Sequence, residues 1–161
     1  MQSNTLDGAL YYVTFTDDHS RKVWAYALKS KDQVLDVFKG FHVKVERQTE
    51  KQLKSVKANN GDVYRGPFEQ YLRSHGIRLE KTVPKTSQQN GVAERMNRNI
   101  CDRISCMLSH AKLPMSFWGK ATRTTVDLIN LSPSYLLEGD STHGSLALKA
   151  YQQNLYLEYY Y

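Results

Sequence analysis

Between Leu10 and Thr16 the chain reads LYYVTFT, and between Lys22 and Leu28 it reads KVWAYAL. Both runs are aromatic and β-branched, which suits a pleated, half-buried surface, and only the polar break Asp17-Asp18-His19-Ser20 sets them apart, so they predict a β-hairpin. The spacing of apolar residues then changes. Val34, Val37, Phe38, Phe41 and Val45 recur every three to four positions behind a Ser30 and Gln33 pair that resembles a capping box, which predicts a helix from Lys31 to Arg47. Leu53 to Ala58 reads as a short strand that ends in the turn-prone Asn59-Asn60-Gly61-Asp62. A compact helix over Pro67 to Ser74, closed by Gly76, leads into another strand over Ile77 to Val83.

The segment Pro84 to Gly91 (PKTSQQNG) has no periodicity and is expected to be a mobile loop. Beyond it, Val92, Met96, Ile100, Ile104, Met107, Leu108 and Ala111 mark the buried stripe of a long helix, with Arg95, Arg98 and Arg103 largely off that stripe. Pro114 opens a further helix, whose apolar positions Phe117, Trp118, Ala121, Val126, Leu128 and Ile129 run toward Pro133. Leu136 to Leu148 carries no clear pattern, whereas the tail Asn154 to Tyr161 (NLYLEYYY) again has strong β-propensity. Strands first, then strands alternating with helices, predict an α/β domain with a mixed sheet covered by helices on both faces. Residues 1–133 form the domain in this reading, and 134–161 form a divergent tail.

Length and composition narrow the picture without changing it. A chain of 161 residues with 40% hydrophobic and 24% charged positions is long enough for one core and too apolar to be disordered. No stretch approaches the roughly 20 apolar residues of a membrane helix, and Met1 leads into polar Gln2, Ser3 and Asn4. A soluble chain with no membrane partner and no visible address is therefore expected. Lys and Arg number 22 against 16 Asp and Glu, a net charge of +6 that suits a polyanionic partner. Cys101 and Cys106 sit in one apolar helical pattern, read as buried thiols in a reducing compartment, nucleus or cytosol. His19, His42, His75, His110 and His143 lack zinc-ligand spacing, so no zinc is expected.

Three segments carry a family likeness: YYVTFTDDHSRKVWAYALKSKDQV (Tyr11 to Val34), HGIRLEKTVPKTSQQNGVAERMNR (His75 to Arg98) and LPMSFWGKA (Leu113 to Ala121). In this order and in one register to about Pro133, they resemble the integrase catalytic core of Ty1/copia-type retrotransposons. The resemblance implies a ribonuclease H-like three-layer fold. It also implies chemistry in which two aspartates and a glutamate hold two Mg²⁺ ions for DNA 3′ processing and strand transfer. Mg²⁺ takes oxygen ligands, and two such ions can activate the attacking oxygen and stabilise the leaving one.

Glu94 matches the family's glutamate. Asn59, in Lys57-Ala58-Asn59-Asn60-Gly61-Asp62-Val63-Tyr64, stands where the second aspartate is expected, 94 − 59 = 35 positions before Glu94. The family's first aspartate falls upstream of Met1, on an opening strand that would lie mid-sheet, so the expectation is one surviving carboxylate, Glu94, with Asp62 a weak substitute. Asp17 and Asp18 belong to the second strand and its turn and are read as structural. A neutral amide brings no negative charge to a dication, so no cofactor is expected, with Mg²⁺ relevant only to residual activity.

Lys81, Lys85, Arg95 and Arg98, with Gln88, Gln89 and Asn90, cluster where the family contacts DNA. They suggest weak, salt-sensitive binding of DNA or RNA. A mid-sheet vacancy would leave backbone groups unpaired at about 1 to 3 kcal/mol each, so the tail is expected to pair with an exposed strand, within the chain or in a homodimer. Two rival readings are a residual Mg²⁺-dependent nuclease or strand-transfer enzyme, and a protein-interaction module acting through a strand edge or the tyrosine-rich tail.

Overall fold

A computed structural model describes residues 4–59, 65–81, 91–132 and 154–160. The expected hairpin forms from β1 (Tyr11–Asp17) and β2 (Val23–Leu28), antiparallel in the register Tyr11↔Leu28 to Thr16↔Val23. Its turn is built around Asp17, whose buried carboxylate accepts hydrogen bonds from the Ser20 N–H at 2.8 Å and the Ser20 hydroxyl at 2.6 Å. Asp18 lies 3.8 Å from the Lys57 ammonium. Asp17 thus holds the hairpin turn, and Asp18 ties that turn to Lys57.

Helix α1 (Gln33–Thr49) starts two residues later than the pattern predicts, because Asp32 rather than Ser30 is its N-cap residue. Only half of the capping box forms: the Gln33 amide oxygen accepts from the Lys29 and Ser30 N–H groups at 2.7 and 3.4 Å, while no side chain caps the helix in return. β3 (Ser55–Ala58), α2 (Pro67–Ser74) and β4 (Arg78–Lys81) follow, β3 beginning two residues later than the apolar run that announced it, while Thr82 and Val83 of the second run lie outside the described residues. Gly76, at φ 68°, makes the left-handed turn between α2 and β4 that a side chain would resist. α3 (Gly91–His110) and α4 (Trp118–Leu131) are joined through a single 3₁₀ turn at Met115–Phe117, so Pro114 precedes that turn rather than α4 itself.

The last strand, β5 (Asn154–Tyr160), completes a five-stranded mixed sheet in the order β2-β1-β5-β3-β4. It runs antiparallel to β1, from Tyr12↔Tyr160 to Asp17↔Leu155, and parallel to β3, from Ser55↔Asn154 to Ala58↔Leu157. The tail therefore fills the centre of the sheet, where the resemblance puts the opening strand. Leu155 and Leu157 are fully buried, and burying each Leu side chain contributes about 1.5 to 3 kcal/mol.

Helices cover both faces. Val34, Phe38, Phe41 and Val45 of α1, with Phe68 and Leu72 of α2, pack on Val13, Phe15, Val56, Leu155 and Leu157. On the other face Ile100, Ile104 and Leu108 of α3 join Trp118, Ala121 and Val126 of α4 against Tyr12 and Val23. The Tyr12 hydroxyl bonds the Asn97 amide oxygen and lies 3.2 Å from Cys101 Sγ, which ties α3 to the sheet.

Two expectations need correction. Leu128 is 48% exposed, and Thr125 and Asn130 take the inward positions of α4 instead. Cys101 is half-buried and Cys106 exposed, because Ile100, Ile104 and Leu108 define a stripe that passes between them. The loop from Pro84 to Asn90 and the tail from Pro133 to Gln153 lie outside the described residues. No described helix is long and apolar enough to cross a membrane.

Candidate functional site

Three elements carry the described candidate residues: the C-terminal end of β3, the central strand β5 beside it, and the start of α3, a helix that packs against β5. Asn59 follows the last residue of β3 and is half-buried. Glu94 lies in the first turn of α3 and is exposed, where the helix dipole favours a carboxylate. Asp62, Lys85, Gln88, Gln89 and Asn90 lie outside the described residues. Ala58 of β3 and Leu157 of β5 are register partners, so Glu158 follows Leu157 as Asn59 follows Ala58; on its other side Glu158 is paired with Thr14. Reading the tail only for strand propensity misses this position. The signal was available, since Glu158 is the lone acidic residue in NLYLEYYY.

Among the described residues, the donors do not make up a site for a pair of magnesium ions. Asn59 offers an uncharged oxygen, and among the described residues no group of three Asp, Glu, His or Cys is placed to hold a metal. Next to Asn59, Lys57 reaches the Tyr156 hydroxyl at 3.4 Å. Partial burial opposes the charge of Lys57, but that hydrogen bond, with Asp18 and Glu80 nearby, outweighs it and holds the lysine above its ordinary pKa.

The cations divide into two kinds. Lys81 lies 3.3 Å from the Glu69 carboxylate, which also meets Arg73 at 3.5 Å, so its charge is answered within the fold. Arg95 and Arg98 project from α3, both exposed, and neither meets a carboxylate among the described residues. Arg95 Nε donates to the Gly91 carbonyl at 2.9 Å, which leaves its other guanidinium donors available. Arg95 also lines a cleft of about 280 Å³ together with Arg21, Val92, Met96 and Asn99. Arg21 escaped the sequence reading because it sits in the hairpin turn, far along the chain from α3. The turn Asp17-Asp18-His19-Ser20-Arg21 ends in a left-handed residue, φ 60° at Arg21, and brings this cation to the helix start.

Among curated proteins, the Pol polyprotein of transposon TNT 1-94 from Nicotiana tabacum is 56% identical over 135 residues, 83% of this chain and 10% of the relative. The chain is homologous to the integrase-core region of Ty1/copia-type retrotransposon Pol polyproteins. The transposon RE2 polyprotein of Arabidopsis thaliana is 36% identical over 134 residues, 83% of this chain and 9% of the relative. The Ty1-LR3 Gag-Pol polyprotein of Saccharomyces cerevisiae is 28% identical over 141 residues, 85% of this chain and 8% of the relative. The chain thus spans about a tenth of the length of these relatives. No family model matches.

Solved structures agree on the fold. A chain of the simian T-cell lymphotropic virus intasome, solved with PP2A regulatory subunit B56 gamma, aligns with a TM-score of 0.62 at 20% identity, covering 80% of this chain and 45% of that one. The HTLV-2 integrase catalytic core domain, solved with magnesium, aligns with a TM-score of 0.58 at 18% identity, covering 81% of each. The Ty1/copia integrase-core region described here therefore has the mixed-sheet α/β fold of retroviral integrase cores, the ribonuclease H-like class.

Proposed function

We propose that this integrase-core-like chain binds nucleic acid weakly, without sequence preference and without the family's two-metal catalysis. The observation that carries the reading is the arginine cluster at the start of α3, where Arg95 lines one cleft with Arg21 and Arg98 is exposed on the same helix, while a neutral Asn59 follows β3. Guanidinium groups recognise phosphate oxygens without reading bases. Loss of a metal ligand does not remove them.

Anisotropy with a labelled DNA duplex over a salt series tests the binding. Neutralising two to three phosphates gives a slope of log K against log salt of about −2 to −3. Arg21→Ala and Arg95→Ala should each flatten that slope by about 1. Affinity that ignores both salt and these variants would remove the reading.

A residual Mg²⁺-dependent nuclease is the second reading, and the register position of Glu158 beside Asn59 favours it. Calorimetric titration with Mg²⁺ and Mn²⁺, with plasmid nicking on the same preparation, separates the two. The first reading expects no metal heat and no nicking. Nicking that is lost in both Glu94→Gln and Glu158→Gln would establish the second.

A further inference from the structure

β2 is an outer strand of the sheet, and its free edge is only partly closed. In an antiparallel pair, alternate residues point their N–H and C=O groups toward the partner strand and away from it. The Asp17 N–H donates to the Lys22 carbonyl at 3.0 Å, which fixes the phase. Lys22, Trp24 and Tyr26 bond toward β1, and Val23, Ala25 and Ala27 present their backbone groups outward. Val23 is satisfied by Asn130 of α4, whose side chain accepts from its N–H at 3.0 Å and donates to its carbonyl at 2.7 Å. Those are the two bonds a neighbouring strand would make. Among the described residues, nothing does the same for Ala25 and Ala27.

This edge lies along a groove of about 810 Å³, with Lys44 and Gln48 of α1 on one side and Thr122, Arg123 and Asp127 of α4 on the other. The short side chains of Ala25 and Ala27 keep its middle open. Three cations, Lys22, Lys44 and Arg123, face a single anion, Asp127, and none of the cations meets a carboxylate within ion-pair distance among the described residues. Burial, and then the charge of Lys44, push the pKa of Lys22 below its ordinary value.

The geometry points to a strand-addition site: the outer edge of β2 takes an acidic, extended segment of another protein. Its main chain pairs with Ala25 and Ala27 in line with the Asn130 side chain, and its carboxylates meet Lys22, Lys44 and Arg123. Added strands gain affinity from main-chain bonds and specificity from the flanking side chains. A DNA backbone has acceptors but no donors to answer the outward carbonyls, and in RNA only the 2′-hydroxyl can donate. A second copy of this chain would bring the same excess of positive charge into the groove. An acidic peptide satisfies both the edge and the charge.

The probe is a fluorescein-labelled nonapeptide of alternating valine and glutamate, followed by anisotropy at low salt and by amide exchange of the full chain. Binding is expected, with slower exchange at the Ala25 and Ala27 amides. The double variant Lys44→Glu, Arg123→Glu should weaken it about tenfold or more. A peptide N-methylated at every residue keeps its charge and loses its amide donors on both edges, and on the wild-type chain it should bind at least about tenfold more weakly. Equal binding of the N-methylated peptide, or indifference to the charge reversal, overturns the proposal. So does equal protection of Ala25 and Ala27 by a single-stranded oligonucleotide, or by self-association of the chain that the peptide does not displace.

Discussion

Leu157→Ala tests whether the C-terminal strand is a true member of the sheet. Leu157 is 0% exposed and belongs to the core cluster under α1 and α2. It pairs with Phe15 of β1 on one side and Ala58 of β3 on the other, so these three share a row across the sheet. Truncation removes the transfer free energy of the lost carbons and leaves a cavity beside Phe15, with only the small Ala58 opposite to collapse into it. Leu→Ala at such positions costs 2 to 5 kcal/mol, and about 3 kcal/mol is expected here. For a chain of this size 1 kcal/mol moves the melting temperature by roughly 2 to 4 °C, so the variant should melt about 6 to 12 °C lower. Urea unfolding followed by the fluorescence of Trp24 and Trp118 reports the same loss, since one indole lies on each side of the sheet. Leu131→Ala, at a position 59% exposed, should stay within about 0.5 kcal/mol of the parent. A Leu157→Ala variant no less stable than Leu131→Ala would refute the placement of β5 in the core.

Asp17→Ala should cost about 1 to 3 kcal/mol, because the buried Ser20 N–H and hydroxyl lose their shared acceptor; chemical denaturation measures it, and a change under about 0.5 kcal/mol contradicts the role of Asp17 in the turn. Thr125 is 0% exposed and its hydroxyl has no hydrogen-bond partner among the described residues, so Thr125→Val should leave stability unchanged or raise it by up to about 1 kcal/mol, and a clear loss on thermal melting counts against that. Burial raises the pKa of Tyr26 above its ordinary 10.0. The neutral phenol is thus favoured in the folded state, and its contribution is complete below pH 10.0 and lost as pH rises through the folded value. Urea midpoints at about pH 9 and pH 11 should therefore fall further for the parent than for Tyr26→Phe, and equal falls would show that Tyr26 is not desolvated.

The parts of the fold legible in the sequence were those where one periodicity acts alone. The LYYVTFT and KVWAYAL runs gave the hairpin, and the stripes through Phe38, Phe41 and Ile100, Ile104 gave the helices, because each face is set by burial against a single layer. The reading weakened where a polar residue serves a tertiary purpose. The apolar pattern includes Leu128 and passes over Asn130, yet Asn130 is turned inward to bond the edge of β2 and Leu128 faces out. No local pattern announces a bond between residues 107 positions apart. Arg21 was missed for the same reason, since its partner Arg95 is brought to it only by the fold.

The central strand joins these observations. NLYLEYYY advertised strand propensity but not a register, because propensity says only that a segment can be extended. The register comes from its neighbours: an antiparallel β1 on one side and a parallel β3 on the other fix Leu155 and Leu157 toward α1 and α2, and Tyr156 toward the opposite face with Lys57. A slip of one residue would exchange these faces, turning Tyr156 into the apolar core under α1 and α2. It would also remove Glu158 from its place next to Asn59. Stability and site composition therefore depend on the same register, and a change that shifts β5 should alter both together. If Leu157→Ala lowered stability as expected while Glu158→Gln left every metal and nucleic-acid titration untouched, β5 would be a structural strand alone. The candidate nucleic-acid site would then rest on the arginines of α3 and the hairpin turn, with no contribution from the central strand.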